Sequence, residues 1–228
     1  MSALAPLFII ATGPLIGSHI PHIFTTRKFT QIVLFSPSQS TLTASSDFIT
    51  AAAPSVAIHT FAVDVTDTPG LTYALQRAVR DIGAPEVVVY NAGRASYGIF
   101  GEYKEEDIVE DFKILNLGLY TTSKVLLPCL QVLAREEPAS RPSFFVISSP
   151  IIHQPFVPIF SLNMAQAAQA NLVKLLTERA KDEVHIELVT VEDPIRKQEP
   201  ANPKHISTKP WELWGEKMRS TVNEVLVQ

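Results

Sequence analysis

Cysteine is almost missing from this chain of 228 residues: Cys129 stands alone. An intramolecular disulfide is therefore excluded, and a reducing compartment fits better than an oxidising one. A lone cysteine of this kind reads as a small buried hydrophobe rather than a nucleophile. A basic excess is missing too: 19 Lys and Arg face 23 Asp and Glu, for a net charge of −4. That balance leaves no electrostatic footprint for nucleic acid. No apolar run reaches the roughly 18 residues that crossing a bilayer requires, so no membrane association is expected. Four of the histidines (His22, His59, His185, His205) show no ligand spacing with cysteine or carboxylates, and no metal site is expected. Met1 to Thr12 is apolar but lacks a basic leader and a small-residue cleavage site. It reads as a buried first strand. The expectation is a soluble, cytoplasmic protein without internal repeats.

What is present is 46% hydrophobic residues, enough for one domain with a sizeable core over residues 1–228. Short β-rich apolar runs alternate with longer stretches of helical period, the signature of βα units and a parallel sheet. Strands are predicted at 7–11, 31–35, 57–61, 86–90, 143–148 and 184–191, with a last one at 222–227. Their near-continuous apolar character suits strands covered on both faces. Helices are predicted at 17–26, 38–52, 68–81, 103–134 and 161–181, with a short one at 211–219. Glu105, Glu106 and Asp107 suit the start of the long fourth helix, and Pro128 is expected to kink it near its end. Residues 193–210, with four prolines and no apolar period, read as a loop. The fold class is α/β, a doubly wound parallel sheet with helices on both faces.

The first strand runs into Ala11-Thr12-Gly13-Pro14-Leu15-Ile16-Gly17-Ser18-His19. A glycine-bearing turn between strand and helix directs backbone N–H groups and a helix N-terminus at one point, where a pyrophosphate can bind. The same residues could also serve simply as a βα turn. With this turn the chain begins to resemble the short-chain dehydrogenase/reductase family, whose fingerprint is Thr-Gly-x-x-x-Gly-x-Gly. Thr12, Gly13 and Gly17 match, and His19 stands at the third glycine, where it would crowd a cofactor or line a modified pocket. Asp64-Val65-Thr66-Asp67 follows the third strand, where the family uses the Asp to hold adenine, although an Asx turn explains such an Asp equally well. Asn91-Ala92-Gly93 matches the family's Asn-Ala-Gly motif, with Tyr90 in place of the usual preceding Asn. Asn116 matches the helix Asn that supports a water-borne proton relay, and can equally hold a helix kink. Val146-Ile147-Ser148-Ser149 matches as well. The resemblance covers essentially the whole chain and implies a cofactor, NADP or NAD.

In the family the second serine of this pair, here Ser149, polarises the substrate carbonyl. A Tyr thirteen residues on donates the proton, and a Lys four residues later lowers the Tyr pKa. The chain has Leu162 and Gln166 at those positions. The flanking Asn163-Met164-Ala165 keeps the family register. Leu donates no proton and Gln carries no charge, so ordinary carbonyl reduction is expected to be lost. The family's Pro-Gly after the sixth strand is replaced by Glu192-Asp193-Pro194, which puts placement of the nicotinamide in doubt. Ser36, at the end of the second strand, and the nearby Arg27 and Lys28 favour NADP slightly over NAD.

Tyr97 and His153 are expected near the same mouth, at the carboxyl ends of the strands. His153 with Ser149 and Tyr97 would permit acid–base chemistry without hydride transfer. The plain alternative is a solvated loop histidine and a tyrosine pocket wall. Three readings remain open. One is a relative that binds NADP(H) or NAD(H) and turns over a small organic substrate by an altered route. The second is a non-redox isomerase, dehydratase or cyclase, and the third is a catalytically inactive regulator. The resemblance also implies that helices 103–134 and 161–181 form a homodimer or homotetramer interface.

Overall fold

The computed structural model describes residues 6–13, 16–25, 29–137, 139–180, 182–191, 203–215 and 224–227. Their seven strands are β1 Leu7–Ile10, β2 Gln31–Ser36, β3 Ala57–Ala62, β4 Val87–Tyr90, β5 Ser143–Ser148, β6 His185–Val191 and β7 Glu224–Val227. All are parallel and join one sheet in the order β3-β2-β1-β4-β5-β6-β7. Side chains alternate across it, as the two-residue period requires. Phe8, Ile10, Val88, Tyr90, Phe144 and Val146 enter one core layer, while Leu7, Ile9, Val87, Val89 and Phe145 enter the other. The inner strands are therefore buried on both faces, while the edge strand β3 is largely open and the described residues of the other edge, β7, are half-buried or exposed. The doubly wound α/β class predicted from the sequence is the one observed.

Helices α3 (Thr68–Ile82), α5 (Gly118–Glu136) and α6 (Phe160–Ala180) cover the first layer. Helices α1 (Ile16–Thr25), α2 (Gln39–Ala52) and α8 (Thr208–Gly215) cover the second. Local chemistry sets several ends. Ser38 caps α2 by accepting from Thr41 N at 3.2 Å, and Asp67 caps α3 by accepting from Gly70 N at 3.0 Å. Trp211 and Trp214 of α8 pack edge-on against Phe24 and Phe29, at 5.2 and 5.3 Å between ring centroids.

Two predicted elements need correction. The segment read as a loop from 193 to 210 contains a short helix, α7 (Pro203–Ile206), and the first turn of α8. Pro203 and Pro210 misled the pattern, although proline is welcome in the first turn of a helix. Residues 192–202 and 216–223, with the rest of those predicted elements, lie outside the described residues. The long fourth helix is not uniform either: α4 (Glu105–Phe112) passes into α5 through a π-helical segment, Lys113–Leu117. α5 then continues eight residues beyond Pro128.

Helix 105–136 is the one described helix long and apolar enough, by length and composition, to cross a membrane. Half of its apolar window is buried inside the protein, as befits a core helix.

The π segment redirects backbone carbonyls that side chains then satisfy. Tyr90 Oη donates to Ile114 O, and Gln169 Nε2 donates to Leu115 O at 3.0 Å. Burial, followed by the charge of Asp64, pushes the Tyr90 phenol up, which keeps it a neutral donor. Gly118 is needed one turn on, because a Cβ there would collide with the Tyr90 hydroxyl and reach Val65 at 3.1 Å. Gly118→Ala is expected to lower stability by about 2 kcal/mol in urea unfolding. In a Tyr90→Phe background the same change should cost clearly less, because the colliding oxygen is gone.

Candidate active-site cleft

The strand order reverses between β1 and β4, and ligands of such sheets sit outside the carboxyl ends at that point. A cleft of about 520 Å³ opens there. Ile16, Asn91, Ala92 and Gly93 wall the side nearest β1 and β4. Ile147, Ser148, Ser149 and Val191 come from the ends of β5 and β6. Leu162 and Gln166 close it from α6, with Tyr97 and Phe156 at the rim. The structure thus gathers Asn91, Ala92, Gly93, Tyr97 and Ser149 into one site.

The turn after β1 is held from several directions. Ala11 has a positive φ of 61°, a strained conformation for a residue with a Cβ. Asn91 Nδ2 donates to its carbonyl at 3.1 Å, so the motif after β4 secures the turn after β1. Thr12 has a duty that the pattern did not reveal. Pro21 sits inside α1 and has no N–H for the carbonyl of Gly17, and Thr12 Oγ1 donates to that carbonyl at 3.0 Å. A proline four residues after the motif glycine was the available signal. Gly17 has no room for a side chain, with Asn91 Nδ2 and Thr12 Cα each 3.0 Å from where a Cβ would stand. A Cβ at Gly13 would meet nothing within 4 Å. Pro14 and Leu15 lie outside the described residues.

His19 does not turn towards the cleft. Its ring packs on Phe48 of α2, 5.0 Å between centroids, and lines a separate cavity of about 380 Å³ between α1 and α2. The third glycine of the fingerprint is thus replaced by a residue that packs between two helices. Asp64 forms an Asx turn: Oδ1 accepts from Thr66 N at 2.8 Å and Thr66 Oγ1 at 2.9 Å. Val65 is buried and belongs to the core. Ser36 is buried as well, and its Oγ accepts from Ser38 N at 3.4 Å. Arg27 and Lys28 lie outside the described residues, as do Glu192, Asp193 and Pro194.

On the α6 side, Ser149 Oγ donates to Gln166 Oε1 at 2.6 Å. The single hydroxyl proton of Ser149 is thereby engaged. Leu162 is buried in a small apolar cluster with Leu115, Ile159 and Ala165. Asn116, inside the π segment, donates from Nδ2 to Ala165 O at 3.0 Å, next to Gln166. Its amide braces α6. No described lining residue of the cleft carries a formal charge.

His153 is placed differently from the sequence expectation. Its Nε2 lies 2.8 and 2.9 Å from the two carboxylate oxygens of Glu224 on β7, and it is not among the residues lining the cleft. The 3₁₀ turn Pro150–Ile152 carries the chain past the mouth before residue 153, which separation in sequence alone cannot show. Among the described residues no three His, Cys, Asp or Glu gather as a metal site. Cys129 is half-buried within α5, and burial pushes its thiol up.

The loop after Gly93 escaped the sequence reading. Arg94 Nε donates to Asp111 Oδ1 at 2.6 Å, and its Nη2 reaches Asp107 O at 3.2 Å. Asp111 is fully buried. The hydrogen bond to Asp111 pushes the guanidinium up from an already high value. Farther on, Gly98 N donates to Pro158 O at 2.9 Å, and Tyr103 Oη lies 2.9 Å from the carbonyls of both Ser96 and Pro158. The rim loops on either side of the cleft are thus joined.

Fold and site together define a doubly wound α/β protein with a ligand cleft at its switch point. A family model described as short chain dehydrogenase matches residues 8–191, and the chain belongs to that family. No curated protein sequence matches the chain. An alcohol dehydrogenase from the archaeon Thermococcus sibiricus, solved with 5-hydroxy-NADP, is similar in structure, with TM-score 0.84 and 16% identity over 98% of this chain and 95% of that one. A metagenomic short-chain oxidoreductase solved with NADP gives TM-score 0.83 and 18% identity over 99% and 98%. A short-chain oxidoreductase of Pseudomonas aeruginosa PAO1, described as containing an atypical catalytic center, gives TM-score 0.83 and 16% identity over 98% and 95%.

Proposed function

We propose that this protein binds NADP(H) or NAD(H) together with a small organic molecule in the cleft, and that it has lost the family's Tyr/Lys-dependent carbonyl reduction. The observation that carries this reading is the Ser149–Gln166 hydrogen bond beside a buried Leu162. The three positions where the family polarises and protonates a carbonyl hold an engaged hydroxyl, a neutral amide and a hydrocarbon. When bound, a nicotinamide dinucleotide supplies or accepts hydride. The residues that would hold it are Thr12, Gly13 and Gly17 in the first turn, Asp64 and Val65 after β3, and Asn91, Ala92 and Gly93 after β4. The open space over Gly13 and the braced turn at Ala11 fit that role. Ser36, buried with its hydroxyl turned to Ser38, lends little to a choice between NADP and NAD.

Any turnover therefore proceeds by an atypical route in which water or Tyr97 supplies the proton. A non-redox reaction built on His153 is less well supported, because that imidazole is engaged by Glu224. A catalytically inactive, ligand-binding regulator remains the second reading. Its support is that no titratable side chain other than Tyr97 lines the described cleft. The protein is proposed to be cytoplasmic and to assemble through α4, α5 and α6. Val109 and Phe112 stand exposed on α4, Leu117 on the π segment, Tyr120 on α5, and Met164 and Leu175 on α6.

Titration with NADPH and NADH, followed by reduced-nicotinamide fluorescence, tests the cofactor. Saturable binding below 1 mM is expected, without oxidation across a panel of aldehydes and ketones. No binding at that concentration would remove the cofactor from the reading, and rapid oxidation would show that a proton donor has been overlooked.

A further inference from the structure

We infer that the open edge of the sheet, strand β3, pairs with the β3 of a second copy of this chain. The two molecules share one continuous sheet, related by a two-fold axis that passes beside Thr60. The contact lies away from the cleft and is separate from the one proposed for α4, α5 and α6.

Edge strands of soluble proteins are ordinarily shielded by a charge, a proline, a bulge or a covering segment. The strand Ala57-Ile58-His59-Thr60-Phe61-Ala62 carries no Asp, Glu, Lys, Arg or Pro. Its register with β2 runs without a bulge from Gln31↔Ala57 to Ser36↔Ala62. Ala57, Thr60 and Ala62 are exposed, and no described strand lies on its outer side. A groove of about 770 Å³ follows the strand, with Tyr73, Arg77 and Asp81 of α3 on its other wall.

The hydrogen-bond phase of β3 selects the partner. Ala57 N donates to Thr30 O and Val63 N to Ser36 O, so the odd-numbered residues face β2. Ile58, Thr60 and Ala62 therefore turn their N–H and C=O groups to the open side. An antiparallel copy centred on Thr60 sets Thr60 against Thr60, and Ile58 against Ala62 on either side. Each such pair exchanges two hydrogen bonds, so every outward group of the three residues is satisfied. A centre on His59 instead sets Ala62 against Val56, which precedes the strand.

The side chains agree with that register. Phe61 belongs to the layer under α3 and Ile58 to the opposite layer. On the α3 face, Phe61 of each copy then stands opposite His59 of the other, a favourable aromatic pair. On the opposite face Ile58 meets Ala62 and Thr60 meets Thr60, so no like charges oppose each other. Charge around the groove also matches in reverse. Asp64 and Asp67 lie where α3 begins. Arg77 and Arg80 lie towards its end and share Asp81, leaving one net positive charge there. A two-fold axis brings the acidic end of each copy to the basic end of the other. A foreign strand would have to carry both charges in the right order; a second copy supplies them by symmetry.

The test places single cysteines in the full chain, with Cys129→Ser removing the native thiol. Thr60→Cys is expected to give a disulfide-linked dimer under mild oxidation, because its Cα stands about 5.5 Å from that of its copy. Ala62→Cys, equally exposed and on the same face, stands about 13 Å from its copy and should stay unlinked. Thr60→Lys, which opposes two like charges, and Thr60→Pro, which removes a shared donor, should each weaken association about tenfold or more in sedimentation. Both should keep wild-type urea stability, since the Thr60 N–H faces solvent in the single molecule. Linking at 62 as fast as at 60, or unchanged association in folded Thr60→Lys, would overturn the pairing. No link at either position would remove the second copy as occupant and leave the edge to a foreign strand. Phe112→Glu strikes the helix contact and should leave the Thr60→Cys link in place; its loss would assign the association to the helices alone.

Discussion

Leu162→Tyr combined with Gln166→Lys is expected to raise NADPH-dependent carbonyl reduction by about 10²-fold, the low end of what a positioned general acid contributes. Residues 162 and 166 are one helical turn apart and both face the cleft. The second substitution also removes the amide that now holds Ser149, freeing that hydroxyl for a substrate carbonyl. The single changes separate the roles. Gln166→Lys alone adds no proton donor and should give no gain. Leu162→Tyr alone supplies a phenol near its ordinary pKa of about 10, and should give a smaller gain than the pair.

The larger Tyr ring must displace part of the Leu115, Ile159 and Ala165 cluster, at a stability cost of about 1–3 kcal/mol. A folded double variant that binds NADPH yet shows no gain would place the defect in nicotinamide seating instead of proton transfer. Initial rates of NADPH oxidation, with binding measured on the same sample, decide between them.

Arg94→Met is expected to lower stability by about 2–3 kcal/mol in urea unfolding. Asp111 would remain fully buried while losing its partner at 2.6 Å. Breaking a wholly buried ion pair costs about 3–5 kcal/mol. The smaller figure applies because more than a third of the Arg94 side chain is exposed, where water screens the pair. Adding Asp111→Asn should recover part of the loss, since it removes the uncompensated charge. A loss below about 0.5 kcal/mol for Arg94→Met, the scale of an exposed pair, would mean that α4 tolerates a lone buried carboxylate. It would also deny the pair its part in seating the rim loop.

Much of the architecture was legible before any coordinates. The seven strands were readable because each is a short run rich in apolar residues and bounded by turn residues, and in the inner strands burial on both faces removes the polar alternation that would blur it. The motifs at Thr12–Gly17 and Asn91–Gly93 and the substitutions at Leu162 and Gln166 were readable because they sit at fixed distances from strand ends. The π segment was not, because a single extra residue per turn leaves no mark on an apolar pattern. It becomes visible only when Tyr90 and Gln169 arrive from elsewhere to take the carbonyls.

The sequence by itself therefore determined the class of fold, the place of the cleft and the side chains missing from it. All three follow from local period and from spacing along one strand or helix. The tertiary structure alone decided which polar atoms in and around the cleft are engaged and which are left without a partner. Ser149 is bound to Gln166, His153 is drawn to Glu224, Thr12 answers for Pro21, and Ser148 is left without a partner. Hydrogen bonds are short and directional, and apart from the Thr12 bond these pairings join residues far apart in the chain. Their outcome depends on ångström-scale packing that no spacing along the sequence encodes.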